Sequence, residues 1–500
     1  MDNMQENGTG ILPEEQGTAL AENPETAAAG STQRPWYKLP LITVPAVIAL
    51  LAMLYVLVVA AFQATHKASL FDGLWSGLYI GEHRFRILLT HDSIWKALKN
   101  TALARLLTLA VCGTLAAGMC ALYRKMKKPG TILTVACLWL VPAAIPTVAA
   151  AWAARSAIIA LKLVDNSVLY LAGAGLQTLG IFCFACGLFA YLKKNPFAGL
   201  QTAVLVWLLA NLTTSAVCLF GIGFPYTYTL DDMIIKQMYS LSQDYTTSSV
   251  YSVIKVVLQV LIGIIPAVLL CGCTRKNAGR ELKITGGEKM LIPAAAACAL
   301  LALLAFNLTR TIEDEWFRAP ANSLVIAVAG GAFGGLLAWS FVRLLERVSR
   351  GLYGAVSLVL SAAMSCMAAL YLLAFYNRLL VSSVVPQVLY AAFDWRIILL
   401  VVILGFVLRS HTAKRPVSLA LALMLLAGAC TWAQFGYALF YESKNNMTMG
   451  ALFLALKTVK RISKYPVYRI MLLTVLPPLL MGVGAAFRMR RAFAELPEKE

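Results

Sequence analysis

The chain has 500 residues, 60% hydrophobic and only 13% charged, and its 43 Lys and Arg against 24 Asp and Glu give a formal charge of +19. A soluble domain sits nearer half apolar and a quarter charged, so this composition excludes an ordinary globular domain and indicates a polytopic membrane chain. The positive charge does not indicate nucleic acid, because Lys and Arg gather at the ends of apolar runs, where they orient membrane helices.

Residues 1–38 form a polar tail with too few apolar residues to bury a core. The tail is too long and too acidic for a secretory signal, so the first apolar run reads as a retained signal anchor. Twelve apolar runs follow, at 40–62, 99–122, 131–152, 168–191, 200–222, 249–272, 290–307, 323–342, 352–376, 396–409, 417–440 and 467–487. Each predicts a membrane helix, giving an all-α polytopic fold of about twelve transmembrane helices. The short basic turns Arg124–Lys128, Lys193–Lys194, Arg343–Arg350, Arg409–Arg415 and "RMRR" all fall on one side of that arrangement. That side is the cytoplasmic one, and it also holds both termini.

The sequence "KNTALARLLTLAVCGTLAAG" opens one small-residue run, and "ANSLVIAVAGGAFGGLLA" opens another. Asn100 and Thr101 lie 222 residues before Asn322 and Ser323. At that offset the two parts of the chain overlay coarsely, including the amphipathic stretches 223–248 and 441–466. The chain therefore divides into a tail (1–38), a first six-helix domain (39–273), a basic linker (274–289), a second six-helix domain (290–491) and a short tail (492–500). Both domains start and end inside, so the repeats are parallel, related by an axis along the membrane normal, with a natural pathway between them.

No catalytic constellation appears, no cofactor motif, and no metal site: the four His are dispersed, and "CFAC" (Cys183, Cys186) places two thiols on one apolar helix without a second ligand pair. "GGEK" lacks the spacing of a phosphate-binding loop. No Asp or Glu lies deep in a predicted span, which counts against a proton-coupled carrier. Lys255 and Arg105 are the deepest charges, either snorkelling to the outer surface or lining a pathway. Trp139, Trp207 and Trp432 lie inside spans, as packing residues or as faces for a sugar ring. Pro142 and Pro146 break the third helix near its middle, leaving either a cavity wall or a kink filled by neighbours.

These residues resemble ABC importer permeases of the oligosaccharide type. The Asn100–Thr101 and Asn322–Ser323 openings are similar to the start of that family's core helices. "LVPAAIPTVAAAW" resembles its next helix, and "TLDDMIIKQMYSLSQDYTTSSVYSVIKVVLQVLIG" the stretch before the last helix of the first permease of a pair. "WAQFGYALFYESKNNMTMGALF" and "YRIMLLTVLPPLLMG" resemble the same region of the second. The resemblance implies two fused permease domains in a bacterial plasma membrane, carrying a sugar or similar small solute. Cytoplasmic ABC ATPase subunits and an extracellular solute-binding protein would be separate chains. With a path between the halves, Trp139, Pro142, Pro146, Trp207, Trp432 and Lys255, singled out above by residue type and depth, are its candidate residues. The family's cytoplasmic coupling loop, with Glu-Ala-Ala, then Gly, then Leu-Pro, is missing. In its place stand "YLKKNPFAG" and "RSHTAKRPVS", which make Lys193, Lys194, Arg409, Lys414 and Arg415 the candidate ATPase-facing residues. Two other readings stay open: a permease-like scaffold or regulator that does not transport, and a twelve-helix facilitator or secondary carrier.

Overall fold

The computed structural model describes residues 40–67, 75, 77–150, 153, 175–210, 229–239, 245–274, 284–365, 388, 394–411, 413–433, 448–450, 452 and 467–494. The tail 1–38, most of the linker and most of 441–466 lie outside the described residues. In chain order the first part contains α1 (Pro40–Thr65), β1 (His66–Lys67), β2 (Leu78–Tyr79), α2 (His83–Thr90), α3 (Asp92–Lys125), α4 (Pro129–Leu138), α5 (Leu140–Ala144), α6 (Gly175–Tyr191), α7 (Pro196–Ala210), α8 (Leu230–Tyr239) and α9 (Tyr245–Cys273). The second contains α10 (Gly286–Thr309), α11 (Glu315–Arg347), α12 (Arg350–Ser365), α13 (Trp395–Leu408), α14 (Pro416–Trp432) and α15 (Val467–Phe493). Apart from the two-residue antiparallel pair β1–β2, every described element is helical.

Among the described residues six helices, α1, α3, α9, α10, α11 and α15, are long and apolar enough to cross a membrane, and shorter apolar helices fill the rest. Large apolar side chains point outward on the long helices: Ile48 and Leu51 on α1, Leu261 and Ile265 on α9, Leu300 and Leu304 on α10. A continuous apolar exterior of this kind is stable against lipid and not against water. The protein is an all-α, membrane-embedded chain.

Helix ends follow local chemistry. Thr285 and Glu288 close a capping box on α10, Asp314 accepts from the Trp316 N–H at the start of α11, and Pro129 and Pro416 open α4 and α14. Two helices begin earlier than the apolar runs predict. "DSIWKALK" and "EWFRAPA" are amphipathic lead-ins that extend α3 and α11 backwards, so Asn100–Thr101 and Asn322–Ser323 sit inside helices. The connection between α10 and α11 is accordingly short, residues 310–314.

Helix α11 is the central pillar: 83% of its apolar window is buried, against 22–39% for the other five long helices. Its glycines explain how it packs. A Cβ on Gly335 would overlap the Met424 backbone of α14, one on Gly331 would lie 2.8 Å from the Met424 carbonyl, and one on Gly428 2.9 Å from the Ala327 carbonyl. The small-residue run of the second part thus lets two backbones touch, as membrane helices do in place of a hydrophobic drive.

The packing crosses between the two parts of the chain. Helix α9 packs on α12, α15 packs on α4 and α5, and α6 meets α13, while α1 lies against α9, α11 and α12. The basic turns come together at one end. Arg124 lies over the Phe197 ring, Lys194 donates to Ser410 at 2.9 Å, the Arg409 guanidinium donates to the Leu345 and Val348 carbonyls, each at 2.8 Å, and the Lys414 N–H donates to the Ala492 carbonyl.

Candidate functional site

Helix α9 carries Ser248, Ser252, Lys255 and Gln259 at spacings of four, three and four, which is one helix face. All four are buried, Lys255 to 2% exposure, so this face points into the bundle. The Lys255 ammonium forms an ion pair with Asp231 of α8. Deeper, Gln259 of α9 and Ser361 of α12 both donate to the Leu209 carbonyl of α7. A polar stripe therefore runs down the seam where α9 and α12 join the two parts of the chain.

Across from it, α3 presents Thr101, Arg105 and Thr108 at a similar spacing, all buried. The Leu230 N–H, at the start of α8, donates to Thr101 Oγ1 at 2.9 Å. Asp232 closes the same end by accepting from the Thr229 N–H and hydroxyl. In the second part the Met449 N–H donates to Ser323 Oγ at 2.8 Å, and the preceding Thr448 opens the turn by accepting from the Leu452 N–H. The second residue of each Asn-Thr or Asn-Ser pair thus satisfies a helix-start N–H that has no partner within its own helix. Asn322 pairs with the Thr309 hydroxyl.

Arg105 is exposed to 9%, and its guanidinium lies over the Trp207 ring, 5.9 Å from the centroid. Trp207 in turn meets Phe182 edge-on. Nε of Arg105 has no hydrogen-bond partner among the described residues. A desolvated cation–π contact contributes about 2 kcal/mol, whereas burying an ion costs several kcal/mol, so the indole face alone does not balance this charge. Asp231 acts electrostatically on Arg105, but its carboxylate already holds Lys255.

A second polar cluster sits at the helix break. Pro146 has no N–H to continue the hydrogen-bond ladder, so α5 stops at Ala144 and Ile145 is extended. This leaves the carbonyls of Ala143 and Ile145 without helical donors. Arg396 of α13 supplies them, at 3.2 and 2.9 Å. Gln177 of α6 also donates to the Ile145 carbonyl. The same guanidinium grips Asp394 through two bonds of 2.8 Å, and Asp394 caps α13 by accepting from the Arg396 N–H. Neighbouring helices close in on the break. A Cβ on Gly180 would lie 2.6 Å from the Trp139 carbonyl, and one on Gly482 2.8 Å from Ala144 Cβ. Among the described residues these neighbours pack directly against the break.

A third cluster lies at the basic end. Arg343 bridges the fully buried Glu288 and Glu346, the latter at 3.0 Å. Arg409 is buried over the Tyr353 ring.

The structure brings Lys255 and Trp207 to the cluster around Arg105, and Trp139, Pro142 and Pro146 to the cluster around Arg396. Trp432 belongs to neither: its indole N–H donates to the Leu473 carbonyl and ties α14 to α15. Of the candidate ATPase-facing residues, Lys193, Lys414 and Arg415 are exposed, and Lys193 adopts φ 54° at the tight turn after α6. Lys194 and Arg409 are engaged within the fold. Sequence reasoning missed Asp394, Arg396, Gln177, Gln259, Ser361, Glu288 and Arg343. The pair "DWR" at the head of a short apolar run was the available signal for the most connected of them. No protein-family model, curated protein or solved structure matches this chain.

Proposed function

We propose that the chain is the membrane component of a solute transporter, two six-helix halves spanning the membrane twelve times around a path for a sugar or similar small solute. It works as the permease of an ABC-type importer in a bacterial plasma membrane, both termini cytoplasmic, with ATPase subunits and an extracellular solute-binding protein as separate chains. The observation that carries this reading is reciprocal packing. The sixth helix of the first half, α9, lies on the third of the second half, α12, and the sixth of the second, α15, lies on the third of the first, α4–α5. The fourth helices, α6 and α13, meet between them. Reciprocal contacts of this kind are what a two-fold axis along the membrane normal would give, and they support that reading. The matching hydroxyl contacts of Thr101 and Ser323 support the same symmetry. The polar stripe on α9 runs along the seam, where alternating access would open and close a pathway.

One observation favours the scaffold or regulator reading. The basic loops turn inward: Lys194 is held by Ser410, and the Arg409 donors are spent on α11 and its C-terminal residue. Asp231 and Asp394 are acids in the helical interior, which weakens the argument against a carrier, but each is held in an ion pair.

The deciding experiment is mild-detergent purification of the tagged protein from its native membranes, identification of the co-purifying chains, and an ATPase assay. The importer reading predicts a stoichiometric ATPase whose turnover rises with binding protein and solute. Purification alone, or with a complete transporter that it merely modulates, contradicts it.

A further inference from the structure

We infer that Arg105, with Lys255, forms the recognition site for the anionic group of a small water-borne solute, a carboxylate or phosphate, at the outer mouth of the path. The inference rests on the reading of the interior as a solute path.

The height of the site is fixed by the helices. Arg105 lies 20 residues before the basic end of α3 at Lys125, about 30 Å along the axis. Lys255 lies 18 residues before the end of α9 at Cys273, about 27 Å. Both therefore reach about the full thickness of a hydrocarbon core from the basic end. A solute coming from the far side meets them first.

Among the described residues Asp231 is the acid that acts on Arg105, and its carboxylate is in contact with Lys255. One carboxylate is thus shared between two positive groups, while Asp232 turns its charge to the Thr229 N–H and hydroxyl at the start of α8. The guanidinium is buried and lies over the Trp207 ring, and its Nε has no hydrogen-bond partner among the described residues. It presents N–H donors in a fixed fork, which is the geometry that takes a carboxylate or phosphate through two bonds. The surroundings favour approach of an anion. Between residues 82 and 99 stand Arg84, Arg86, Lys96 and Lys99 against Glu82 and Asp92, and exposed like charges around a mouth concentrate counter-ions there. The second half has Ala327 at the position equivalent to Arg105. The solute would then be gripped by its charged end against one half only.

The test uses the full chain in phosphatidylcholine nanodiscs, which carry no anionic lipid. The unfolding temperature is followed with glucuronate, glycerol phosphate, inorganic phosphate and uncharged glucose. At least one anion is expected to stabilise the protein while glucose does not. Glucuronate separates the carboxylate from the phosphate source. Arg105→Gln is expected to weaken that anion about tenfold, and Arg105→Lys less. Asp231→Asn is expected to tighten it about tenfold, because it removes the competing carboxylate; this arm serves even if Arg105→Gln fails to fold. No response to any anion, an equal response to glucose, or an anion affinity unmoved by both Arg105→Gln and Asp231→Asn overturns the inference. A solute-stimulated ATPase in the co-purification experiment would then leave the permease reading standing without this site.

Discussion

Replacing Arg396 by alanine is expected to lower the stability of the protein by about 3–5 kcal/mol, the usual cost of removing one partner of a buried ion pair. The substitution strips Asp394 of both guanidinium contacts and removes a donor from the Ala143 and Ile145 carbonyls. Because Asp394 is buried, its charge cannot turn to water. Thermal unfolding in detergent micelles measures the loss. Arg396→Lys should recover only part, since an ammonium cannot hold a carboxylate and two carbonyls in one plane. The double variant Asp394→Ala with Arg396→Ala should be more stable than Arg396→Ala alone, because the orphaned charge is gone. If Arg396→Ala unfolds at the temperature of the unchanged protein, the helix break is not held by this residue.

Arg343→Met is expected to cost a similar amount, about 3–5 kcal/mol, because it leaves two carboxylates buried together. Glu288 is fully enclosed and meets Glu346 only through Arg343. Changing all three, Arg343→Met with Glu288→Gln and Glu346→Gln, should restore most of the loss, since a buried charge network can be replaced by neutral groups at little net cost. The unfolding temperatures of the single and triple variants decide the matter. Equal destabilisation in both would mean that the side chains act here through shape and not through charge.

The helical, apolar character of the chain was legible because a membrane helix writes its length directly into composition; six of the runs hold described helices long and apolar enough to cross a membrane, and the others hold shorter apolar helices. The break at Pro142 and Pro146 was equally legible, since proline removes a donor wherever it stands. What fills the break was not. Arg396 lies 251 residues from Ile145, and nothing local in "DWRIILL" says that α13 will rest against α5. Glu288 was hidden for another reason: it stands in "GGEK", a linker by composition, and becomes a core residue only when α11 brings Arg343 to it. Arg409 looked like a loop charge and proved to be a cap for the end of α11. Thr101 and Ser323 were visible as a recurrence, but their work depends on α8 and residue 449, more than a hundred positions further along.

The solute path, its outer mouth and the ATPase-facing loops all depend on which end of the bundle faces out, and thiol labelling measures that directly. In a background with the exposed Cys273 and Cys298 changed to alanine, single cysteines replace Lys99, Lys193 and Lys414, all exposed. A membrane-impermeant maleimide applied to intact cells should modify Lys99→Cys at once, and Lys193→Cys and Lys414→Cys only after permeabilisation. Labelling of Lys193→Cys or Lys414→Cys in intact cells, with Lys99→Cys protected, would invert the molecule and contradict the account.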